Sequence, residues 1–172
     1  TLAGIGTVVT GTIHSGSVQV GDRLLISPSG LEARVRGIHA QNQPTERGEA
    51  GQRCALNLTG PDLHRKDIHR GDWVLDATLH FPTTRLDVEL RVLADEEQSL
   101  RHWTPVHCHL GAADVMGRVA VLDGDLIAPG AVGLAQLVLD HPLAVLHSDR
   151  FVLRDQSAQR TFGGGRVLDV AP

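Results

Sequence analysis

The sequence predicts an all-β fold built as two consecutive β-barrels. Three observations predict it. Short runs of β-branched and apolar residues recur along the whole chain, Gly, Asp, Pro and Ser punctuate them, and no window sustains a helical period over several turns. The first set of strands is expected at residues 7–13, 23–26, 32–38, 52–58 and 72–75. Ser15-Gly16, Gly21-Asp22, Ser27-Pro28-Ser29-Gly30 and Gly60-Pro61-Asp62 supply the residues that tight reversals need. Strands at this spacing suggest a closed barrel.

His80-Phe81-Pro82-Thr83-Thr84 interrupts the pattern with a proline that cannot continue a central strand, and the domain boundary is placed there, giving residues 1–79 and 80–172. The second set of strands is expected at 86–92, 106–110, 113–122, 132–139, 151–154 and 166–170. Leu86, Val88, Leu90 and Val92 alternate with Asp87, Glu89 and Arg91 until Leu93 breaks the period, so this strand has one core face and one wet face. Residues 95–100 read as a helical turn or a charged loop, with Glu96 and Glu97 solvated.

At 172 residues and 41% apolar content the chain can bury one generous core or two small ones. Cys54 and Cys108 are too few and too far apart for a disulfide framework, and read as buried thiols in a reducing compartment. No charged leader followed by an apolar run opens the chain, and no apolar stretch reaches the roughly 20 residues of a membrane span. A cytoplasmic protein with no membrane partner is expected, as a monomer. The net charge of -4 tells against a protein that grips nucleic acid by bulk electrostatics. The basic charge is nearly all arginine, however, since Lys66 is the only lysine, and arginine is the better planar donor to phosphates.

The motif GxxxxGK[ST] does not occur, and Lys66 lies in Arg65-Lys66-Asp67 without a glycine frame, so this chain is not expected to bind GTP or to be an enzyme by itself. Gly163-Gly164-Gly165 has no helix pattern after it and reads as close strand approach or a bulge rather than an anion nest. His107-Cys108-His109, with His102 nearby, invites a metal reading. A stable zinc site wants about four ligands, though, and the other pair near ligand spacing, His64 and His69, lies in the other half. A partly exposed histidine pair and no metal site is the expectation. No GxSxG elbow supports nucleophilic catalysis, and no residue is assigned a catalytic role. Arg70-Gly71-Asp72 reads as a turn entering the strand of Trp73 rather than an adhesion signal. Asn57-Leu58-Thr59 reads as strand residues near a barrel edge rather than a glycosylation acceptor.

Gly4-Ile5-Gly6-Thr7-Val8-Val9-Thr10-Gly11, then Ser15-Gly16 and Val20-Gly21-Asp22, resembles the opening of the second domain of translational GTPases of the elongation factor Tu group. Glu49-Ala50-Gly51-Gln52-Arg53 and Arg70-Gly71-Asp72 continue the resemblance. Phe151-Val152-Leu153-Arg154 and Arg160-Thr161-Phe162-Gly163-Gly164-Gly165 look like that group's closing strands. Within the group, residues 39–46 and 50–58 are most similar to the bacterial selenocysteine-specific elongation factor. The resemblance implies two elongation factor Tu-like barrels that help deliver selenocysteinyl-tRNA to the ribosome. The first would hold the aminoacyl end, and the second the T-stem side of the acceptor arm. It further implies a parent GTPase whose GTP and Mg site lies before Thr1 and whose mRNA-hairpin-binding winged helices lie after Pro172.

Arg53 falls where the general factor's motif has asparagine, in the pocket facing the amino acid. A selenol is more acidic than a thiol and largely ionised at neutral pH, so it asks for a cationic partner. The alternative is that Arg53 pairs with a neighbouring acid. His39 and Val8 match positions close to the terminal adenosine, and Thr10 borders the amino acid, with ordinary barrel packing as the alternative for all three. Arg101, His102, Arg154, Gln156 and Arg160 fall near loops that approach the T-stem, and the loop at 155–159 looks longer than in the general factor. Competing readings are a general elongation or initiation factor fragment, and a metal-binding or adhesion β-protein.

Overall fold

The computed structural model describes residues 6–172; Gly4 and Ile5 of the opening motif lie outside the described residues. Apart from two single 3-10 turns, at Arg65–Asp67 and Ala77–Leu79, all its regular elements are strands. The chain divides into two compact units, one running to His69 and including Trp73–His80, the other comprising Phe81–Pro172 with Arg70–Asp72.

In the first unit the strands are β1 (Thr7–Thr12), β2 (Ser17–Gln19), β3 (Arg23–Ser27), β4 (Leu31–Ala40), β5 (Gln43–Thr45), β6 (Arg47–Glu49), β7 (Arg53–Thr59) and β8 (Trp73–Leu75). One antiparallel sheet runs in the order β1-β7-β4-β3-β8, with β5 added to the end of β4, and β2 and β6 form a separate ribbon. The ladder is therefore a sheet plus a ribbon rather than one continuous ring. What joins them is the core: Val18 of β2 packs in one cluster with Ile26, Ala33, Val35, Ile38, Cys54 and Leu58 of the sheet. Backbone bonds from Val20 N to Glu46 O and from Ala50 N to Gly16 O, both at 3.0 Å, tie the turns around the ribbon. Asn57-Leu58-Thr59 lies one strand in from the terminal strand β1 of its sheet, near an edge but not on it. It lies in β7, which pairs on both sides, with Val8 opposite Asn57 on β1 and Gly37 opposite it on β4.

The second unit contains β9 (Pro82–Val92), β10 (Leu100–Arg101), β11 (Thr104–Leu110), β12 (Ala113–Val121), β13 (Leu126–Ile127), β14 (Val132–Ala144), β15 (Arg150–Arg154) and β16 (Thr161–Asp169). Six of these close a barrel in the order β11-β12-β14-β9-β16-β15, and β10 pairs with β13 beside it. The alternation read in β9 is what fills it: Leu86, Val88 and Leu90 are fully buried and Val92 nearly so. Each such side chain contributes about 1.5–3 kcal/mol by leaving water. Pro82 starts β9, the position where a missing N–H costs least. Leu93 is exposed, and residues 95–99 form turns rather than a helix. Cys54 and Cys108 are free and buried.

Gly163-Gly164-Gly165 lies inside β16, paired with β15 on one side and β9 on the other. A Cβ at Gly163 would stand 2.8 Å from the Arg91 carbonyl oxygen, one at Gly164 2.7 Å from that of Phe151, and one at Gly165 would collide with that of Glu89. Backbone cannot give way here as a flexible side chain would. Gly165→Ala is expected to lower unfolding free energy by about 1–3 kcal/mol, the usual penalty for overpacking. Gly37→Ala, where nothing lies within 4 Å, should stay within about 0.5 kcal/mol. Urea denaturation of the two variants beside the parent chain checks both values.

Candidate functional site

In the first unit the core claims one face of each strand, and the candidate residues lie on the other. Val9 and Leu56 pack inward with Cys54, Leu58 and Ile38, which leaves Val8 and Thr10 of β1, His39 of β4 and Arg53 of β7 exposed on the outside. Register brings them together. Thr10 stands opposite Ala55, Ala55 opposite His39, and His39 opposite Pro44. The next row in one direction is Val8, Asn57 and Gly37, and in the other Thr12 and Arg53. The small residues Ala55 and Gly37 floor this patch, and a Cβ at Gly37 would meet open space. Beside it, Gln41 and Asn42 both adopt positive φ, 52° and 63°, in the two-residue turn that joins β4 to β5.

Among the described residues no hydrogen bond or ion pair engages the Arg53 side chain. Its nearest acid in sequence, Glu49, is paired with Arg47 at 3.4 Å. Asn57 is a residue to which sequence reasoning gave no role in the site. Its Oδ1 is buried with no hydrogen-bond partner among the described residues, in the row between Val8 and Gly37. Its parity with Arg53, four residues earlier on one strand, was the available signal.

In the second unit the segment after β9, the segment before β11 and the loop from β15 to β16 emerge at one end of the barrel, because His107 pairs with Arg154, and Gly163 with Val92. Three of the five residues assigned to this end have side-chain partners among the described residues. Arg160 donates to both carboxylate oxygens of Glu96 at 2.8 and 2.7 Å, and the Glu96 side chain is only 8% exposed. This corrects the reading of Glu96 as solvated: one guanidinium nitrogen, Arg160 Nη1, reaches both of its carboxylate oxygens and holds it against the barrel end. Arg154 donates to the Ala158 carbonyl at 3.2 Å, and His102 Nδ1 lies 3.3 Å from the Val121 carbonyl oxygen. Arg101 and Gln156 are exposed.

Between Arg101 and Thr104, Trp103 takes a positive φ of 68° and remains half exposed. His102 stacks beside it at 5.9 Å and the Arg118 guanidinium lies 6.0 Å from its ring. Trp103 and Arg118 were missed because a lone tryptophan carries no motif and Arg118 is distant in sequence. On the wall below, His107 Nδ1 and His109 Nε2 face Asp114 at 3.0 and 3.8 Å, while Cys108 points into the core. Burial, with the Asp114 charge adding to it, pushes the Cys108 thiol up to about 12, so it sits in the core as a protonated thiol. Among the described residues no group of three or more His, Cys, Asp or Glu is placed to hold a metal ion.

Residues 87–172 match the family model described as the β-barrel domain of the selenocysteine-specific elongation factor, and residues 6–75 match elongation factor Tu domain 2. The chain belongs to the selenocysteine-specific elongation factor family. It is 45% identical over its whole length to the selenocysteine-specific elongation factor of Escherichia coli K12, and 41% identical over 97% of its length to that of Haemophilus influenzae. It spans 26% of the length of each of these relatives. Among solved structures, the apo translation elongation factor SelB of Methanococcus maripaludis matches all of this chain and 41% of its own, with a TM-score of 0.83 at 21% identity. Sup35 complexed with GDP matches 97% of this chain and 45% of its own, with a TM-score of 0.84 at 20% identity. These two likenesses concern the fold. The family is one of GTP-binding factors, but the glycine triplet of this chain does not fit a nucleotide's phosphates: its backbone is committed to strand ladders on both sides.

The family's barrel end is organised here by one carboxylate. Asp155 Oδ1 accepts from Ser157 Oγ at 2.9 Å, from Gln159 N at 2.9 Å and from Arg160 N at 3.3 Å. The Ser157 hydroxyl first, then the two amides and the Arg160 charge, hold its carboxyl below the usual carboxylate range. A depressed folded pKa means the order it confers is complete above the ordinary carboxylate pKa and is lost as pH falls through the folded value. The Gln159 and Arg160 amides are therefore expected to lose hydrogen-exchange protection in acid below that range, while the barrel amides keep theirs. Asp155→Asn should show the weakened protection already at neutral pH.

Proposed function

We propose that this chain is the non-catalytic tRNA-holding part of a selenocysteine-specific elongation factor, with residues 1–79 receiving the aminoacyl end of selenocysteinyl-tRNA and residues 80–172 receiving the T-stem side of its acceptor arm. The parent protein hydrolyses GTP with Mg in a separate domain, works in the cytoplasm as a monomer, and meets the ribosome and an mRNA hairpin through its other parts. The observation that carries the reading is the Arg53 guanidinium, exposed on the same outer face as Val8, Thr10 and His39 with no carboxylate among the described residues paired to it.

The physics follows from that charge. A selenolate arriving beside Arg53 gains a charge-assisted hydrogen bond worth about 1.5–3 kcal/mol. Serine does not ionise, and its hydroxyl leaves the guanidinium without an anion in a site that aminoacyl binding partly dries, so the wrong aminoacyl group is penalised as the right one is rewarded. His39 and Val8 offer a donor ring and an apolar wall to the terminal adenosine, and Thr10 borders the amino acid. Arg101, His102, Arg154, Gln156 and Arg160 present donors to the phosphates and riboses of the acceptor arm, contacts that position RNA without reading its sequence.

Arg53→Ala in the parent factor is expected to reduce the preference for selenocysteinyl-tRNA over seryl-tRNA by about ten- to hundredfold, the equivalent of that hydrogen bond. Arg53→Lys should retain part of it. Equilibrium binding of both aminoacyl-tRNAs in the presence of GTP measures the ratio. An unchanged ratio would leave a general carrier of charged tRNA as the reading.

A further inference from the structure

The outer wall of the second barrel carries an open cleft of about 300 Å³ whose lining includes Glu89, Arg91, Arg150, Gly164 and Arg166. Strand register builds it from residues far apart in sequence. Arg91 of β9 stands opposite Gly164 of β16, and Arg166 of β16 stands between Glu89 of β9 and Arg150 of β15. Gly164 contributes no side chain, so the wall dips where the three guanidinium groups surround it. Arg166 is partly neutralised, donating from Nε to Glu89 Oε1 at 3.2 Å and from Nη2 to Oε2 at 3.5 Å. The side chains of Arg91 and Arg150 make no hydrogen bond or ion pair among the described residues, and both are exposed. Arg150 and Arg166 are thus a like-charge pair directly opposite each other across two strands, an arrangement that destabilises a sheet. One carboxylate cannot offset three cations, and this happens on a chain whose net charge is -4.

We propose that this cleft binds the phosphate groups of an RNA backbone. Guanidinium forks match phosphate oxygens in charge and geometry, and a bound phosphodiester would supply the anions that Arg91 and Arg150 lack. The cleft is open rather than enclosed, which suits a strand of phosphates lying across it better than a peptide needing side-chain pockets. The contact is additional to those of Arg53, Arg101, His102, Arg154, Gln156 and Arg160, and it rests on the proposed RNA-binding role of the chain. The phosphates come either from the tRNA that the factor carries or from ribosomal RNA that it meets, and the two sources are separable by experiment.

The test is titration of the chain and its Arg91→Ala/Arg150→Ala variant with aminoacyl-tRNA and, separately, with ribosomes at several salt concentrations. The variant is expected to bind one of the two more weakly. Its slope of log affinity against log salt should fall by about 2, roughly one for each phosphate contact removed. Its thermal midpoint should be equal to or above the parent's, because a like-charge pair has been relieved. A slope change with tRNA alone identifies the carried RNA as the source; one with ribosomes alone identifies ribosomal RNA. Arg150→Glu should weaken the same binding further than Arg150→Ala, and equal effects of the two would count against the cleft. Slopes unchanged with both RNAs, while the parent chain binds, overturn the cleft and leave the proposed function standing. Failure of the parent chain to bind either RNA overturns both.

Discussion

The two-residue period of a β-strand is the constraint from which the rest of this molecule follows. Once Leu86, Val88, Leu90 and Val92 are committed to one core, Glu89 and Arg91 have no choice of side; once Cys54 and Leu58 are committed to the other, Arg53 and Asn57 have none either. A slip of one residue in any of these ladders would bury a guanidinium, at a cost no single contact repays. Hydrophobic burial thus fixes register, and register gathers Arg53, Thr10 and His39 into neighbouring rows although they come from three strands. The functional faces are consequences of the cores, which is why side chains never in contact with those cores depend on them.

How much of this could be read in the sequence varied with the range of the interaction. The alternation of β9 and the turn residues around β3 are local, and they placed strands and faces correctly. The opening motif likewise carried the identity of the first barrel in a few consecutive residues. What stayed hidden was non-local or too short. The ribbon of β2 and β6 consists of three-residue strands containing Gly48, with no period to detect, and β10 and β13 are two residues each. Glu96 looked solvated beside Glu97 because its partner Arg160 is 64 residues away. The gathering of Arg91, Arg150 and Arg166 is likewise a product of pairing order, and composition alone pointed the other way by giving a net acidic chain.

Net charge and local charge have different jobs here. Overall acidity weakens long-range attraction to any polyanion, so binding that depended on bulk field would be poor. It does not prevent a few arginines from making short-range contacts once a ligand is positioned, since at contact the nearest charges dominate over those beyond a Debye length of about 8–10 Å. Such a molecule discriminates by placement more than by attraction.

The arginines themselves divide by what already holds them. Arg160 and Arg154 are occupied, one clamping Glu96 and the other a loop carbonyl, and each brings rigidity to the barrel end before any ligand arrives. Any anion reaching Arg160 must share it with a largely buried carboxylate, so such a contact positions more than it attracts. Arg53, by contrast, makes no internal ion pair among the described residues, and an anion delivered to it takes nothing away from the fold. A cation that is solvated when empty and paired only with the correct ligand keeps its full electrostatic response for the moment of recognition. On the proposed reading, that difference is what lets Arg53 turn a single atom, selenium in place of oxygen, into a difference in affinity.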